Sequence, residues 1–232
     1  MIIVTKLSQA FMHLLYPHIC AGCGHELHNE ETQLCLQCLH EMPHTGFDKL
    51  PGNPVEKIFW GRLPLTAAMA GYYFTKGSVM QQLMHQLKYK GNKDLGIQLG
   101  RMLGHQLAES GRIMADALIP LPLYPAREKK RGYNQATLIC HGMADILQLP
   151  VFDKAVTRPH HTTTQTRKKR IERWDNIEGK FLVTQPDVLQ HKKLLLVDDV
   201  VTTGATLEAC GAAILGAGNV SLSIACLCMA SH

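Results

Sequence analysis

Two adjacent acids and a threonine-rich turn follow an apolar run near the end of the sequence. The run 194–197 is typical of a buried strand, and Asp198 and Asp199 come directly after it. The turn leads into a predicted helix through five residues, which are Thr202, Thr203, Gly204, Ala205 and Thr206. N–H groups at a helix start bind anions, whereas carboxylates suit ribose hydroxyls or a divalent cation. The pattern predicts a sugar-phosphate site, and its structural alternative is an acidic strand end before a helix cap.

A second chemical pattern lies near the N-terminus, where two Cys-x-x-Cys pairs are separated by eleven residues. The four cysteines are Cys20, Cys23, Cys35 and Cys38. Two such turns supply the four thiolates of a closed, tetrahedral and therefore structural zinc site. Two disulfides or a dithiol redox centre are the alternatives. A cytosolic protein does not favour stable disulfides, and a redox pair leaves the second Cys-x-x-Cys unexplained.

A third pattern is a stretch of positive charge in a chain whose net charge is +5. Between Arg158 and Arg173, six cations stand against one acid, and most of them cluster as Arg167, Lys168, Lys169, Arg170 and Arg173. Such a stretch favours an anionic partner such as phosphate or nucleic acid, and a solvated loop is the equal alternative. Trp174 offers either a stacking platform for single-stranded bases or an anchor for the loop.

Alternating strands and helices must position these groups. The predicted strands are 66–74, 115–120, 181–184, 194–197 and 220–227, and the predicted helices are 79–89, 95–107, 134–149 and 205–215. Strands this apolar between helices predict an α/β fold with a mostly parallel sheet covered on both faces. The carboxyl ends of its strands are the expected ligand edge.

The composition of the 232-residue sequence excludes several classes of protein. An apolar fraction of 46% with 19% charged residues excludes wholesale disorder. No stretch approaches the ~20 apolar residues of a membrane-spanning helix, which excludes an integral membrane protein. The start has no cleavage site of a secretory signal, so we expect a cytoplasmic protein. We predict a short helix plus cysteine knuckle over 1–45, a linker over 46–64, and an α/β domain over 65–232.

The run 194–206 resembles, at every position, the 5-phosphoribosyl-1-pyrophosphate (PRPP) signature of type I phosphoribosyltransferases. The resemblance implies a type I phosphoribosyltransferase-like fold. It places Asp198 and Asp199 on the ribose hydroxyls and residues 202–206 around the 5′-phosphate, with magnesium accompanying PRPP. The pyrophosphate then meets the turn after the strand at 118–120, or a mobile lid over 158–176. The candidates are Arg127, Arg131, Arg158, Arg170 and Arg173.

Further motifs sharpen the resemblance over nearly the whole chain. They are the cysteine knuckle, Leu87-Lys88-Tyr89-Lys90-Gly91, Pro120-Leu121-Pro122, Arg131-Gly132-Tyr133-Asn134-Gln135, and the spacing of Thr162, Gln165, Arg173, Asn176, Gly179 and Phe181. Together they resemble the ComF/ComFC/GntX family of amidophosphoribosyltransferase-like proteins, which is linked to DNA uptake and natural transformation. By that resemblance, the zinc knuckle occupies the chain position of the hood that covers the acceptor base in such enzymes.

The resemblance leaves three functions open. The first is a PRPP-binding protein that acts in natural transformation and binds single-stranded DNA, with DNA-uptake or recombination proteins as expected partners. The candidate DNA-binding residues are Arg167, Lys168, Lys169, Arg170, Arg173 and Trp174. The second is an active, magnesium-dependent transferase that acts on an unidentified nitrogen acceptor. The third is a PRPP-sensing regulator, which the lack of an evident helix-turn-helix pattern disfavours. No residue of the sequence stands out as a general base.

Overall fold

The protein is described by a computed structural model that covers residues 18–27, 33–159 and 181–230. The predicted helix before the knuckle, the proposed DNA-binding residues 167–174 and most of the predicted lid lie outside the described residues. Among the described helices, none has both the length and the apolar character needed to cross a bilayer.

Four parallel strands form the central sheet. They are β1 (Ala67–Phe74), β2 (Ala117–Pro120), β5 (Lys193–Val201) and β6 (Ser221–Ala230), and their order across the sheet is β1-β6-β5-β2. The predicted class, a mostly parallel sheet with flanking helices, is confirmed. Residues 194–197 of β5 are buried on both faces, as a strand covered by helices on either side requires. Two further strands, β3 (Val156–Thr157) and β4 (Leu182–Val183), form a small antiparallel pair.

The helices in chain order are α1 (Leu36–His40), α2 (Pro54–Phe59), α3 (Val79–Tyr89), α4 (Lys93–Ser110), α5 (Pro125–Arg131), α6 (Gln135–Leu147), α7 (Pro186–Leu189) and α8 (Ala205–Gly216). The polar residues Ser78, Asn92 and Asn134 cap the N-termini of α3, α4 and α6 through side-chain oxygens. The sequence predicted α3 with these bounds, and α4 begins two residues earlier than predicted and ends three later.

Helix α6 packs against β2 and β5 on one side and against α4 on the other. The contact with α4 is so close that only glycines fit. A Cβ at Gly142 would lie 2.0 Å from the carbonyl oxygen of Ile97, and one at Gly100 would lie 2.2 Å from that of Ile139. The α4–α6 pair therefore forms a rigid layer, and the start of α6 is held against the carboxyl ends of β2 and β5.

Two of the differences from the sequence prediction bear on the candidate site. Strand β5 runs on to Val201, so the acids lie within the strand rather than after it. The reason is lateral pairing, because Val200 and Val201 are aligned with Cys228 and Met229 of β6. The segment 46–64, predicted as a linker, contains α2, whose residues Val55 and Phe59 are buried in the common core.

Candidate functional site

The threonine-rich turn between β5 and α8 encloses a small cavity. Its volume is about 60 Å³, and it is lined by Asp198 and residues 200–207. Gly204 begins the helix with φ at 73°, a left-handed conformation that favours glycine. A Cβ there would also lie 2.7 Å from Ile58 and 2.9 Å from Phe59. Glycine thus lets the turn close against α2, with the first N–H groups of α8 facing an anion-sized space.

The segment after α2 braces this turn from outside. The Arg62 guanidinium donates to the carbonyl oxygens of Ile58 at 3.0 Å and Thr203 at 3.1 Å. The same guanidinium forms an ion pair with Glu208 in the first turn of α8. One side chain therefore ties α2, the turn and α8 together, so the segment 46–64 supports the candidate site directly.

The two acids have different surroundings. Asp198 is half-buried and accepts a hydrogen bond from the backbone N–H of Asp199 at 2.8 Å. Burial raises the pKa of Asp198 well above its usual range, and the neighbouring charge of Asp199 adds to the rise. Asp199 instead forms an ion pair with Lys88 at the end of α3, with 2.9 Å between Oδ2 and Nζ. Lys88 therefore neutralises one member of the acid pair.

A larger cavity of about 170 Å³ adjoins the acids. Asp198 and Thr206 line both cavities, so the two spaces meet at the acid pair. On the far side of the acids the larger cavity is lined by four cations, which are Lys88, Arg127, Arg131 and Arg158. An anion-sized pocket, two carboxylates and a cationic wall thus follow one another along the carboxyl edge of the sheet.

Two residues that line the larger cavity each carry a side-chain hydrogen-bond donor with no partner among the described residues. The donors are Nε of Arg158 and Nε2 of Gln135, and both atoms are buried. Arg158 is held between the rings of Tyr124 and Phe181, at 4.8 Å and 5.1 Å from their centroids. A buried donor without an acceptor is costly, so this cavity has the chemistry of a site for an oxygen-rich anion.

Each polar residue of the segment 131–135 has a structural role around this cavity. The Tyr133 hydroxyl donates to the carbonyl oxygen of Leu87 at 2.5 Å, which fixes the end of α3 beside Lys88. Asn134 donates to the carbonyl of Leu121 at 2.9 Å and caps α6 with its side-chain oxygen. Arg131 donates to Oε1 of Gln135 at 2.8 Å, and the Gln135 amide nitrogen has no partner among the described residues.

The four N-terminal cysteines converge in a separate cluster. The Sγ atoms of Cys20, Cys23, Cys35 and Cys38 lie within 4.8 Å of one another, and those of Cys23 and Cys35 are 3.6 Å apart. Tetrahedral zinc with ~2.3 Å bonds to sulfur requires sulfur separations of about 3.8 Å. The cluster therefore fits a metal ion such as zinc.

Backbone groups favour a thiolate at one member of the cysteine cluster, Cys20, whereas burial and the neighbouring sulfurs raise the pKa of the Cys38 thiol. Burial raises the pKa of the Cys20 thiol, but N–H groups of Cys35, Cys23 and Gly22 outweigh this effect and lower the pKa to about 6. The Cys35 sulfur accepts the N–H of Cys38 at 3.4 Å and so caps α1. Thiolates are the form that binds metals.

The knuckle is docked on the α/β domain. The backbone N–H of Gln33 donates to Oε1 of Gln98 in α4 at 2.7 Å, and Asn92 donates to the Gln33 side chain at 3.1 Å. A Cβ at Gly22 would lie 3.2 Å from Val79 at the start of α3. The knuckle thus packs against the start of α3, the helix that carries Lys88, and against α4.

The predicted site residues divide into two groups. Residues 198–206, Arg127, Arg131 and Arg158 lie around the two joined cavities. Arg167, Lys168, Lys169, Arg170, Arg173 and Trp174 are outside the described residues, so their roles remain predictions. Sequence reasoning missed Lys88 and Gln135, because the charge at the end of α3 was explained by the helix dipole. Both lie in motifs that carried the family resemblance.

Comparisons with known proteins find relatives that cover most of the chain. No protein-family model matches the chain. A DNA utilization protein named YhgH from Shigella flexneri is 30% identical over 215 residues, which cover 90% of this chain and 89% of the relative. Competence protein F of Haemophilus influenzae is 30% identical over 190 residues, which cover 82% and 75%. Competence protein ComFC of Bacillus subtilis is 24% identical over 151 residues, which cover 64% and 58%.

Among solved structures, the glutamine phosphoribosylpyrophosphate amidotransferase of B. subtilis in complex with ADP and GMP is similar to this chain with a TM-score of 0.43. It is 16% identical, and the match covers 61% of this chain and 30% of that one. A likeness this weak carries no weight for the site.

The cysteine cluster predicts one tightly held metal ion per chain. Mass spectrometry under native conditions should find it, and a strong chelator should release it and make the segment 18–45 sensitive to protease. Cys20→Ser should abolish metal retention. Cys210→Ala, which removes a buried cysteine outside the cluster, is the matched control and should keep the ion. A folded wild-type chain without metal and with an unchanged protease pattern would contradict the prediction.

The burial of Asp198 predicts a specific pH dependence of stability. Because folding raises the pKa of Asp198, its contribution is fully favourable below the unfolded pKa of about 3.9 and is lost as the pH rises toward the folded pKa. Asp198→Asn cannot titrate, so its free energy of unfolding relative to wild type should increase from pH 4 to pH 8. Urea unfolding across this range measures the difference.

Asp145→Asn provides the control for that experiment. It removes an exposed carboxylate that pairs with Arg101, away from the site, and should not show the pH-dependent gain. A constant stability difference between Asp198→Asn and wild type over the whole range would contradict the raised pKa of Asp198.

Proposed function

The chain belongs to the ComF family, and from that premise we propose that it is a PRPP-binding, phosphoribosyltransferase-like protein that acts in DNA utilization. Its fold is that of the type I phosphoribosyltransferases. The names of the relatives, DNA utilization protein and competence protein, support the DNA-related role.

The observation that carries the proposal is the order of groups along the carboxyl edge of the sheet. The anion-sized turn at 202–206, the acid pair and the cationic wall follow one another without a gap. PRPP has the same order, with a 5′-phosphate, a ribose with two hydroxyls and a pyrophosphate. Arg158 and Gln135 line the cavity beside the acids and carry partnerless donors, which supports a role in binding pyrophosphate oxygens. The turn and the cationic wall thus suit the two phosphate-bearing ends of PRPP, and the acid pair suits the ribose hydroxyls between them.

The proposed metals have separate roles. Zinc is the proposed ion of the four-cysteine cluster, and four protein thiolates leave it no open position for catalysis. Magnesium fits the other site, because it is commonly held by one or two carboxylates together with substrate phosphates. When bound there, it would neutralise charge on the pyrophosphate. Arg127, Arg131 and Arg158 would then orient the pyrophosphate, and Asp198 and Asp199 would orient the ribose hydroxyls.

Transferase activity is the second candidate function, and the cationic wall favours it. In that reaction the bond from ribose C1 to the pyrophosphate oxygen breaks, and its electron pair leaves with pyrophosphate. An acceptor nitrogen then forms the new bond to C1. A wall of cations lowers the energy of the departing pyrophosphate in the transition state. A PRPP-sensing protein would use the same binding groups without this step.

Calorimetric titration with PRPP and magnesium tests the proposal. Wild type should bind in a saturable way. Asp199→Asn should weaken binding by tenfold or more, because it removes a charged hydrogen-bond acceptor that faces the ribose hydroxyls, at a cost of about 1.5–3 kcal/mol. Asp145→Asn is the matched control and should bind as wild type does.

Absence of PRPP binding by a folded, metal-loaded wild type would overturn the proposal. Pyrophosphate release in the presence of nitrogen acceptors then separates the two candidate functions. Release that depends on an acceptor identifies a transferase, and saturable binding without release identifies a binding protein.

A further inference from the structure

A second large cavity, of about 520 Å³, lies on the outer side of the cationic wall. It opens between the end of α3 and the segment 127–133. Its side chains are two tyrosines and four cations, which are Tyr89, Tyr133, Lys88, Arg127, Lys130 and Arg131. No aspartate or glutamate is among its described lining residues. Three of the cations, Lys88, Arg127 and Arg131, also line the smaller cavity, so the two spaces share a wall.

Tyr89 is the most unusual residue of this cavity, because 67% of its surface is exposed. The core-facing residues of α3 are Met80, Leu83, Met84 and Leu87, so Tyr89 lies outside the core, where one neighbour is the His85 ring with 5.1 Å between centroids. The Arg131 guanidinium carbon lies 5.7 Å from the ring centroid of Tyr89. An exposed ring beside a guanidinium in an open, cationic cavity is a platform for a flat aromatic ligand that carries negative charge.

The combination of groups selects one class of ligand. Inorganic phosphate would use the cations but not the ring, and a neutral aromatic compound would use the ring but not the charges. A nucleotide uses both, because its base stacks on an aromatic face and its phosphate binds lysine and arginine. Lys130 is exposed on α5, so it is available to a phosphate that extends outward.

We propose that this cavity binds a nucleotide, with the base stacked on Tyr89 and the phosphate bound by Lys130. The nucleotide is either free or part of a single strand, since both present the same chemistry. The proposal deepens the DNA-related part of the proposed function and does not depend on PRPP binding. Neither Tyr89 nor Lys130 lines the ribose-phosphate cavity.

The test uses two probes with the full, metal-loaded chain. Thymidine 5′-monophosphate is titrated by calorimetry, and a labelled short oligothymidylate is titrated by fluorescence anisotropy at two salt concentrations. Tyr89→Ala should weaken binding about tenfold, whereas Tyr89→Trp should retain it, because either aromatic ring supports stacking. Lys130→Gln should weaken binding and, for the oligonucleotide, reduce the salt slope by about 0.7.

Trp60→Ala is the matched control. Trp60 is 63% exposed and lies beneath Lys57, with 5.9 Å from Nζ to the ring centroid, but it does not line the cavity. Binding of both probes should be unchanged in this variant. The control therefore distinguishes specific stacking on Tyr89 from nonspecific binding to an exposed aromatic ring beside a cation.

The two probes separate the two sources of the nucleotide. Tighter, salt-sensitive binding of the oligonucleotide supports a single strand, and equal affinity for the monophosphate supports a free nucleotide. The proposal is overturned if wild type binds neither probe, or if Tyr89→Ala and Lys130→Gln both bind like wild type. The same variants should bind PRPP with the affinity of wild type. A loss of PRPP binding therefore counts against the ribose-phosphate site and not against the nucleotide site. Lys130→Gln keeps the test decisive if Tyr89→Ala does not fold.

Discussion

Mutual repulsion of two adjacent carboxylates is the constraint on which the rest of the structure depends. Asp198 and Asp199 lie within β5 rather than in a solvated loop, so water does little to screen their charges from each other. Burial together with the charge of Asp199 raises the pKa of Asp198, and Lys88 pairs with Asp199 at 2.9 Å. Such an arrangement is costly for folding alone, and it is reasonable at a site that must present carboxylates to a ligand.

The elements around the acid pair follow from the need to hold Lys88 in place. Lys88 is at the end of α3, and the Tyr133 hydroxyl fixes that end by binding the carbonyl of Leu87. The cysteine knuckle packs against the start of the same helix and, through Gln33, against α4. A change at the cysteine cluster would therefore reach the candidate site through the position of α3. Whether the knuckle also acts as a hood over an acceptor stays a prediction.

Much of the fold could be predicted from the sequence, because apolar runs and caps are local signals. The bounds of α3 and the position of the threonine-rich turn follow from residues that are neighbours in the chain. The continuation of β5 through the acids could not be predicted, since it depends on alignment with Cys228 and Met229 about thirty residues later. The same holds for Lys88 and Arg62, whose roles come from partners more than a hundred positions away. Spacing in a sequence reports which side chains share a turn, but not which strand or helix comes to lie beside them.

The central claim is that the turn, the acids and the cationic wall form one continuous site for a phosphorylated ribose and its pyrophosphate. A crystal structure of the protein with PRPP and magnesium tests it most directly. In that structure the 5′-phosphate should lie within residues 202–206 and the ribose hydroxyls should contact Asp198 and Asp199. The pyrophosphate should contact Arg158 and Gln135. A ligand bound elsewhere, or one whose pyrophosphate does not contact Arg158 and Gln135, would contradict this assignment of the site.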